Sequence, residues 1–260
     1  MVPKIVFIVP YRDRPEQKCV FERNMKHIME DYNDDDFQIF FAEQGDTRPF
    51  NRGGIKNIGF IAIKNLYPND YKNITFVFND VDSFPYTKGV LDYQTKSGII
   101  KHFFGFKHVL GGIFSITGGD FEKLNGFPNF WTWGFEDNMI YNKAVKHPDI
   151  SVDRSTFFEI FNHNIVHYTD SLNRTINIKQ TGNSKQEQNY NNINSLRNIN
   201  YTIENDMIKI HNFSVSLPYK EDIRPYNAKL TQNMIAIKKK YRMAQRGITM
   251  GMGFGMNHKK

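Results

Sequence analysis

Asp80-Val81-Asp82 follows directly on the apolar run Ile74-Thr75-Phe76-Val77-Phe78-Asn79. β-Branched and aromatic residues in so short a run read as a buried strand. Two carboxylates where such a strand ends are costly to leave without a partner. A divalent cation supplies one, and that cation can in turn hold a diphosphate. Taken alone, an Asp-x-Asp triplet is more often just a polar strand end, here leading into Ser83-Phe84-Pro85. A second acidic pair lies in Phe130-Trp131-Thr132-Trp133-Gly134-Phe135-Glu136-Asp137-Asn138, which holds both tryptophans of the chain. An indole plate is suited to stacking on the apolar face of a sugar ring. Glu136 and Asp137 open a predicted helix, where the helix dipole favours carboxylates. Capping acids over core tryptophans and a sugar platform beside a general base are both consistent with this segment.

These side chains need elements to position them. Residues 5–9 read as a first strand, 37–42 as a second and 74–78 as a third. A helix over 15–31 has Pro15 in its first turn and the stripe Val20, Met25, Ile28; a second helix spans 52–66. Strands alternating with helices predict an α/β fold with a mostly parallel, doubly wound sheet. In such sheets ligands bind at the carboxyl ends of strands, where Arg12, Arg14, Asp80 and Asp82 fall. Further on, 109–116 reads as a strand, 121–125 as a short helix, 136–146 as a longer one and 201–217 as a hairpin. Residues 165–190 turn polar, with Gly182 and many Asn and Gln, and predict a lid that closes over a ligand.

Of the 260 residues 40% are hydrophobic and 15% aromatic, which excludes a disordered chain. The net charge of +7 favours anionic partners: nucleic acid, acidic lipid or a nucleotide diphosphate. No nucleic-acid-binding motif accompanies it, so no nucleic-acid partner is expected. Cys19 is the only cysteine, which allows no internal disulfide and suits a reducing compartment. The apolar run at 5–9 is too short for a signal sequence, and no stretch approaches the ~20 apolar residues of a membrane span. A cytoplasmic protein is therefore expected. Leu230, Met234, Ile237 and Tyr241 fall at helical spacing beside Lys238, Lys239, Lys240 and Arg242. That predicts a basic helical extension over 218–246, packed on a domain of residues 1–217 or in weak contact with a membrane surface. The Gly- and Met-rich residues 247–260 read as a low-complexity tail.

Ordered blocks along residues 3–217 resemble glycosyltransferase family 7, the β-1,4-galactosyltransferase family of animals. Val9-Pro10-Tyr11-Arg12-Asp13-Arg14 is similar to its VPFRNR, and Phe50-Asn51-Arg52-Gly53-Gly54-Ile55-Lys56-Asn57-Ile58-Gly59-Phe60 to its FNRAxLLNVGF. The strand ending in Asp80-Val81-Asp82 resembles the family's DVD strand. Gly111-Gly112-Ile113-Phe114 with Asn125-Gly126-Phe127-Pro128-Asn129 resembles its GGVxAL…NGFPN, and Trp131–Asp137 its WGWGGED. Ile165-Val166-His167 with Asp170 is similar to its histidine segment.

The resemblance implies a GT-A fold and inverting transfer from a UDP-sugar to a glycan hydroxyl, with Mn²⁺. It implies Asp82 and His167 as metal ligands; His163 lies only four residues away, and the motif alone selects between the two. It implies Pro10, Arg12, Arg14, Phe50 and Arg52 around uridine and phosphates, and Asp80 and Val81 beside ribose and metal. Val109, Gly111, Gly112, Trp131 and Trp133 would line the sugars, with Glu136 and Asn138 contacting them and Asp137 acting as base. The pattern is broken at Phe135, where the family has glycine, and at Asn138, where it has an acid; both predict a different acceptor. Val109 stands where the animal enzymes carry an aromatic residue, which predicts room for the N-acetyl group of GalNAc beside galactose. A catalytically impaired carbohydrate-binding relative is the alternative, kept open by Asn138 and Met139.

Overall fold

The first apolar run forms strand β1 (Ile5–Tyr11), buried along its whole length. The computed structural model describes residues 1–132, 134–168, 173–177, 192–215 and 223–227, with backbone alone in 173–177 and 223–227. After β1 come α1 (Pro15–Ile28), β2 (Phe37–Gln44), α2 (Arg52–Leu66), β3 (Thr75–Asn79), β4 (Ser83–Pro85), β5 (Ile99–Gly105) and β6 (Ile113–Thr117). Next are α3 (Gly118–Lys123), α4 (Glu136–Lys146), β7 (Ser151–Asp153), β8 (Phe158–Glu159), β9 (Ile165–His167) and β10 (Asn173–Asn177). A 3-10 turn at Ile193–Ser195 leads into the hairpin β11 (Leu196–Glu204) and β12 (Met207–Val215), and β13 (Ile223–Asn227) follows.

The main sheet runs β11-β12-β2-β1-β3-β6-β5-β7, with β8 also paired to β5. It is mixed but mostly parallel: β12–β2, β2–β1, β1–β3, β5–β7 and β5–β8 run parallel, and β11–β12, β3–β6 and β6–β5 antiparallel. The chain passes to one side of β1 for β2 and to the other for β3. That reversal makes a crevice at the carboxyl ends of β1 and β3. The β1–β3 ladder stops at Ile8↔Phe78, so Pro10, which has no N–H to give, costs no bond on that side.

Both faces of the sheet are covered, which is why β1 is apolar without alternation. Val6 and Ile8 pack into one core with Ile55 and Ile58 of α2 and Phe76 and Phe78 of β3. Ile5, Phe7 and Val9 pack into another with Phe21, Met25 and Ile28 of α1. Each such buried side chain contributes roughly 1.5–3 kcal/mol of transfer free energy. A Cβ on Gly59 would come within 2.7 Å of Ile8 Cγ2, so the glycine lets α2 lie directly on β1.

Several expectations change. The predicted strand 109–116 begins only at Ile113 and runs on to Thr117; Gly112, with φ of 73°, turns the chain just before it. Helix α3 starts at Gly118, because Thr117 caps it by accepting from the Asp120 amide, and it ends before the predicted 125. Strands β5, β7 and β8 were not read from the sequence at all. Residues 223–227, predicted within a helical extension, are strand β13. The predicted lid lies largely outside the described residues, which within 169–191 comprise only β10. The apolar spacing from Leu230 to Tyr241 and the tail at 247–260 lie outside them entirely. Among the described residues no helix is long and apolar enough to cross a membrane. The chain divides into two compact units, residues 1–170 with 175–224, and residues 171–174 with 225–260. The main sheet and both acidic pairs belong to the first.

Candidate active site

Helix α2 organises one half of the crevice. Asn51 caps it, its side-chain oxygen accepting from the Gly54 amide at 2.8 Å, and its Nδ2 donates to the Asn129 carbonyl at 3.0 Å. Two turns along, Asn57 Nδ2 donates to the Phe127 carbonyl at 2.7 Å and its Oδ1 accepts from the Phe127 amide at 2.9 Å. These buried amides pin residues 127–129 to α2. The blocks around Asn51 and Asn129 are thus one structural unit, and they set where α4 begins.

The first turn of α2 faces the first turn of α4. Arg52 Nη1 donates to Glu136 Oε1 at 2.6 Å and to Asp137 Oδ2 at 2.9 Å, and its Nη2 donates to Asp80 Oδ1. Lys56, one turn further, donates to Asp137 Oδ1 at 2.9 Å. One arginine therefore ties the acid at the end of β3 to both acids of α4. The two α4 acids are driven apart. Burial raises the Glu136 carboxyl above its usual range, and the adjacent Asp137 charge adds to that. Burial would raise Asp137 too, but the Arg52 and Lys56 charges outweigh it and hold its carboxyl below the usual range. Gly111 makes room for this group: a Cβ there would lie 2.6 Å from Asp137 Oδ2.

The other half of the crevice is built from the segment after β3. β4 pairs with β9 so that Ser83 stands opposite His167. That brings His167 Nε2 to 3.9 Å from Asp82 Oδ1, while Arg14 Nη1 donates to Asp82 Oδ2 at 3.2 Å. His163 is exposed. Arg12 donates to the Arg48 carbonyl at 2.5 Å, and its guanidinium lies 5.9 Å from the centre of the Phe50 ring. Val81 is buried next to Phe84 in the α1-side core. Among the described residues no group of three His, Cys, Asp or Glu side chains is arranged to hold a metal ion, so Asp82 and His167 form an incomplete O/N donor set.

Trp131 corrects an expectation. It is 1% exposed and stacked on Phe213 at 4.9 Å, with the Arg48 guanidinium 4.1 Å from its ring. A plate with no open face cannot receive a sugar. Trp133 lies outside the described residues. Phe135 is 49% exposed and left-handed, with φ of 72°, immediately before Glu136. For a bulky side chain that conformation costs roughly 1–2 kcal/mol, which the family's glycine avoids. Val109 is buried within the loop that precedes Gly111, and Asn138 is half-buried on α4.

Two residues of the site were missed. Lys56 is 1% exposed, and its signal was available: it follows Arg52 by four, so both share one face of α2. His102 on β5 is buried, with Nε2 3.1 Å from the carbonyls of Phe104 and Gly111, so that nitrogen carries the proton. Its Nδ1 accepts from Arg154 Nε at 3.1 Å. Burial, and then the Arg154 charge, push its pKa down to about 4. It holds the Gly111 carbonyl, and no sequence pattern marked it.

The assembly offers an ionised carboxylate beside Arg52, and an O/N donor pair beside Arg14. Such a set can take a proton from a hydroxyl while an anionic leaving group is stabilised nearby.

Residues 2–92 match a family model described as the N-terminal region of glycosyl transferase group 7. Residues 100–167 match one described as the N-terminal domain of galactosyltransferase. Beta-1,4-galactosyltransferase 5 of Sus scrofa is 33% identical over 161 residues, covering 58% of this chain and 40% of that protein. Xylosylprotein 4-beta-galactosyltransferase of Caenorhabditis elegans is 32% identical over 151 residues, covering 55% of this chain and 50% of that protein. The matched stretch thus spans half or less of these relatives. Among solved structures, the catalytic domain of Drosophila beta-1,4-galactosyltransferase 7 with xylobiose has a TM-score of 0.63 at 20% identity. A mutant of that enzyme with manganese, UDP-Gal and xylobiose has a TM-score of 0.61 at 19% identity. Each covers 84% of this chain and 96% of its own, and shows that the fold is that of the GT-A galactosyltransferases.

Proposed function

This chain belongs to glycosyltransferase family 7, and we propose that it moves a hexose from a UDP-sugar to a glycan hydroxyl with inversion. The observation that carries the reading is Asp137, half-buried, ionised and anchored through both oxygens beside the crevice. Its carboxylate takes the proton of the acceptor hydroxyl as that oxygen bonds to the anomeric carbon. The bond from that carbon to the diphosphate breaks, and its electron pair leaves with UDP. Arg14 and Arg12 face the diphosphate, with Pro10 and Phe50 toward the uridine. Arg52 places Asp80 toward the ribose and Asn138 binds the acceptor, while Glu136, 2% exposed and held by Arg52, supports the site from behind instead of contacting the sugar.

The donor set of Asp82 and His167, carboxylate oxygen plus imidazole nitrogen, fits Mn²⁺ better than Ca²⁺. Manganese in the solved relative supports the same ion here. These two residues would hold it, and it would neutralise charge on the leaving diphosphate.

The relatives' names support galactose as the sugar and a β-linkage. Val109 leaves space at the sugar's C2 substituent, so UDP-GalNAc is the second donor. Phe135 supplies the exposed aromatic face beside Asp137 that buried Trp131 cannot, and with Asn138 it sets an acceptor different from that of the animal enzymes. The deciding experiment is UDP release with Mn²⁺ across UDP-Gal, UDP-GalNAc, UDP-GlcNAc and UDP-Glc. UDP-Gal and UDP-GalNAc should turn over, and Val109→Tyr should cut the GalNAc-to-Gal ratio roughly 10-fold or more, as expected for overpacking a closed site. No release from any donor would defeat the reading. An unchanged ratio would remove Val109 from the donor pocket.

A further inference from the structure

Lys56 is a buried cation on the acidic pair where the family block resembled by Phe50–Phe60 has leucine. Lysine is rarely buried without a compensating charge, because losing its hydration is costly. Here its Nζ lies 2.9 Å from Asp137 Oδ1 and 4.4 Å from the centre of the Phe127 ring. Arg52 takes the other oxygen of the same carboxylate at 2.9 Å. Two cations one helical turn apart thus hold the two oxygens of one group. A carboxylate gripped on one side only can rotate; gripped on both, it presents the same free lone pairs to an incoming hydroxyl.

The charges give the second half of the argument. The groups facing Asp137 are Arg52 and Lys56 from α2, Glu136 beside it on α4, Asp80 through Arg52 at the end of β3, and neutral His102 on β5. Three acids stand against two cations. With leucine at 56 they would stand against Arg52 alone, and one acid of the buried set would take a proton more readily.

We propose that Lys56 is a positioning residue for Asp137, fixing the orientation of its carboxylate and balancing its charge. The base then works at a lower pH than Arg52 alone would allow. This rests on the reading of Asp137 as the base, and the test separates the two. Lys56→Leu, Lys56→Gln and Lys56→Arg are compared with the parent in kcat/KM for UDP release against pH. In parallel the Asp137 carboxyl is titrated by carbon NMR of protein labelled at aspartate Cγ, a readout that needs no turnover. In Lys56→Leu the acidic limb and the carboxyl midpoint should both rise by about 1–3 pH units. Lys56→Arg should restore both. Lys56→Gln keeps a donor to Oδ1 without its charge and should show the rise if the leucine variant fails to fold. Superimposable midpoints in the parent and the charge-removing variants overturn the proposal, as does a pH-independent rate loss that arginine does not rescue. An Asp137 midpoint in the parent at or above the ordinary value of about 3.9 also overturns it. If the parent releases no UDP, the hexosyltransfer reading has failed, while the titration still decides whether Lys56 controls Asp137.

Discussion

The two acidic pairs look alike in the sequence and are opposites in the structure. Asp80 and Asp82 are two residues apart, yet they go to different cations, Asp80 to Arg52 and Asp82 to Arg14 with His167 in reach. Glu136 and Asp137 are adjacent and share Arg52, with Lys56 added on Asp137. Side-chain exposure does not sort them: it is 25% at Asp80 and 12% at Asp82, against 3% at Glu136 and 16% at Asp137. A carboxylate beside an imidazole can share an ion with it. One held between two cations has its proton affinity set by them. The spacing of acids along a chain is therefore silent about which of them binds and which transfers a proton; the partners that the fold brings to each one separate the two roles.

The largest effect that could break this contrast is on turnover. Asp137→Asn should leave the fold and donor binding intact and lower kcat by about 10²–10⁴-fold, the range for losing a general base. Single-turnover assays with calorimetry of donor binding check both halves. Retained transfer would move the base to Glu136 or end the mechanism.

The next effect lies beneath the buried pair. His102 has its folded pKa depressed to about 4, so the unfolded chain, with an ordinary value near 6.5, binds the proton first as pH falls. Its contribution to stability is complete above about pH 6.5 and is lost progressively toward pH 4. The loss should be on the order of 3 kcal/mol, one unit being about 1.4 kcal/mol. Denaturant unfolding across that window should show a steeper decline in the parent than in His102→Gln. Equal slopes would mean that His102 is protonated in the folded protein.

The smallest effect belongs to the rim. Asp82→Asn and His167→Ala should each weaken Mn²⁺ affinity by roughly 10–100-fold or more, taking ligand loss to cost at least what a supporting contact costs. Asp82→Asn, which also loses the charge paired with Arg14, should cost some stability, and His167→Ala less. Unchanged Mn²⁺ affinity by calorimetry in both variants would misplace the metal site and erase the contrast.

Much of the fold was legible because β1, β2, β3, α2 and α4 are written locally. Runs such as Ile5–Val9 are apolar on both faces, and Asn51 before Arg52 is a capping residue in the expected place. β5 escaped because Lys101-His102 interrupts its apolar run, and β7 and β8, of three and two residues, carry too little pattern to register. Trp131 was misplaced for a related reason. Residue type says that an indole could stack on a sugar, but only packing says that Phe213 and Arg48 already cover it.

The sequence by itself determined the strand–helix alternation, the crevice at the ends of β1 and β3, and the family, because these rest on local periodicity and on motifs read in order. Tertiary structure alone decided that Lys56 meets Asp137 across 81 residues and Arg52 meets it across 85. It also decided that His102 supports Gly111 and that β4 pairs with β9 to bring His167 beside Asp82. The physical reason is that an ionisable group acquires its chemistry from burial and from charges a few ångströms away. Those neighbours come from distant parts of the chain, and only folding sets the distances between them.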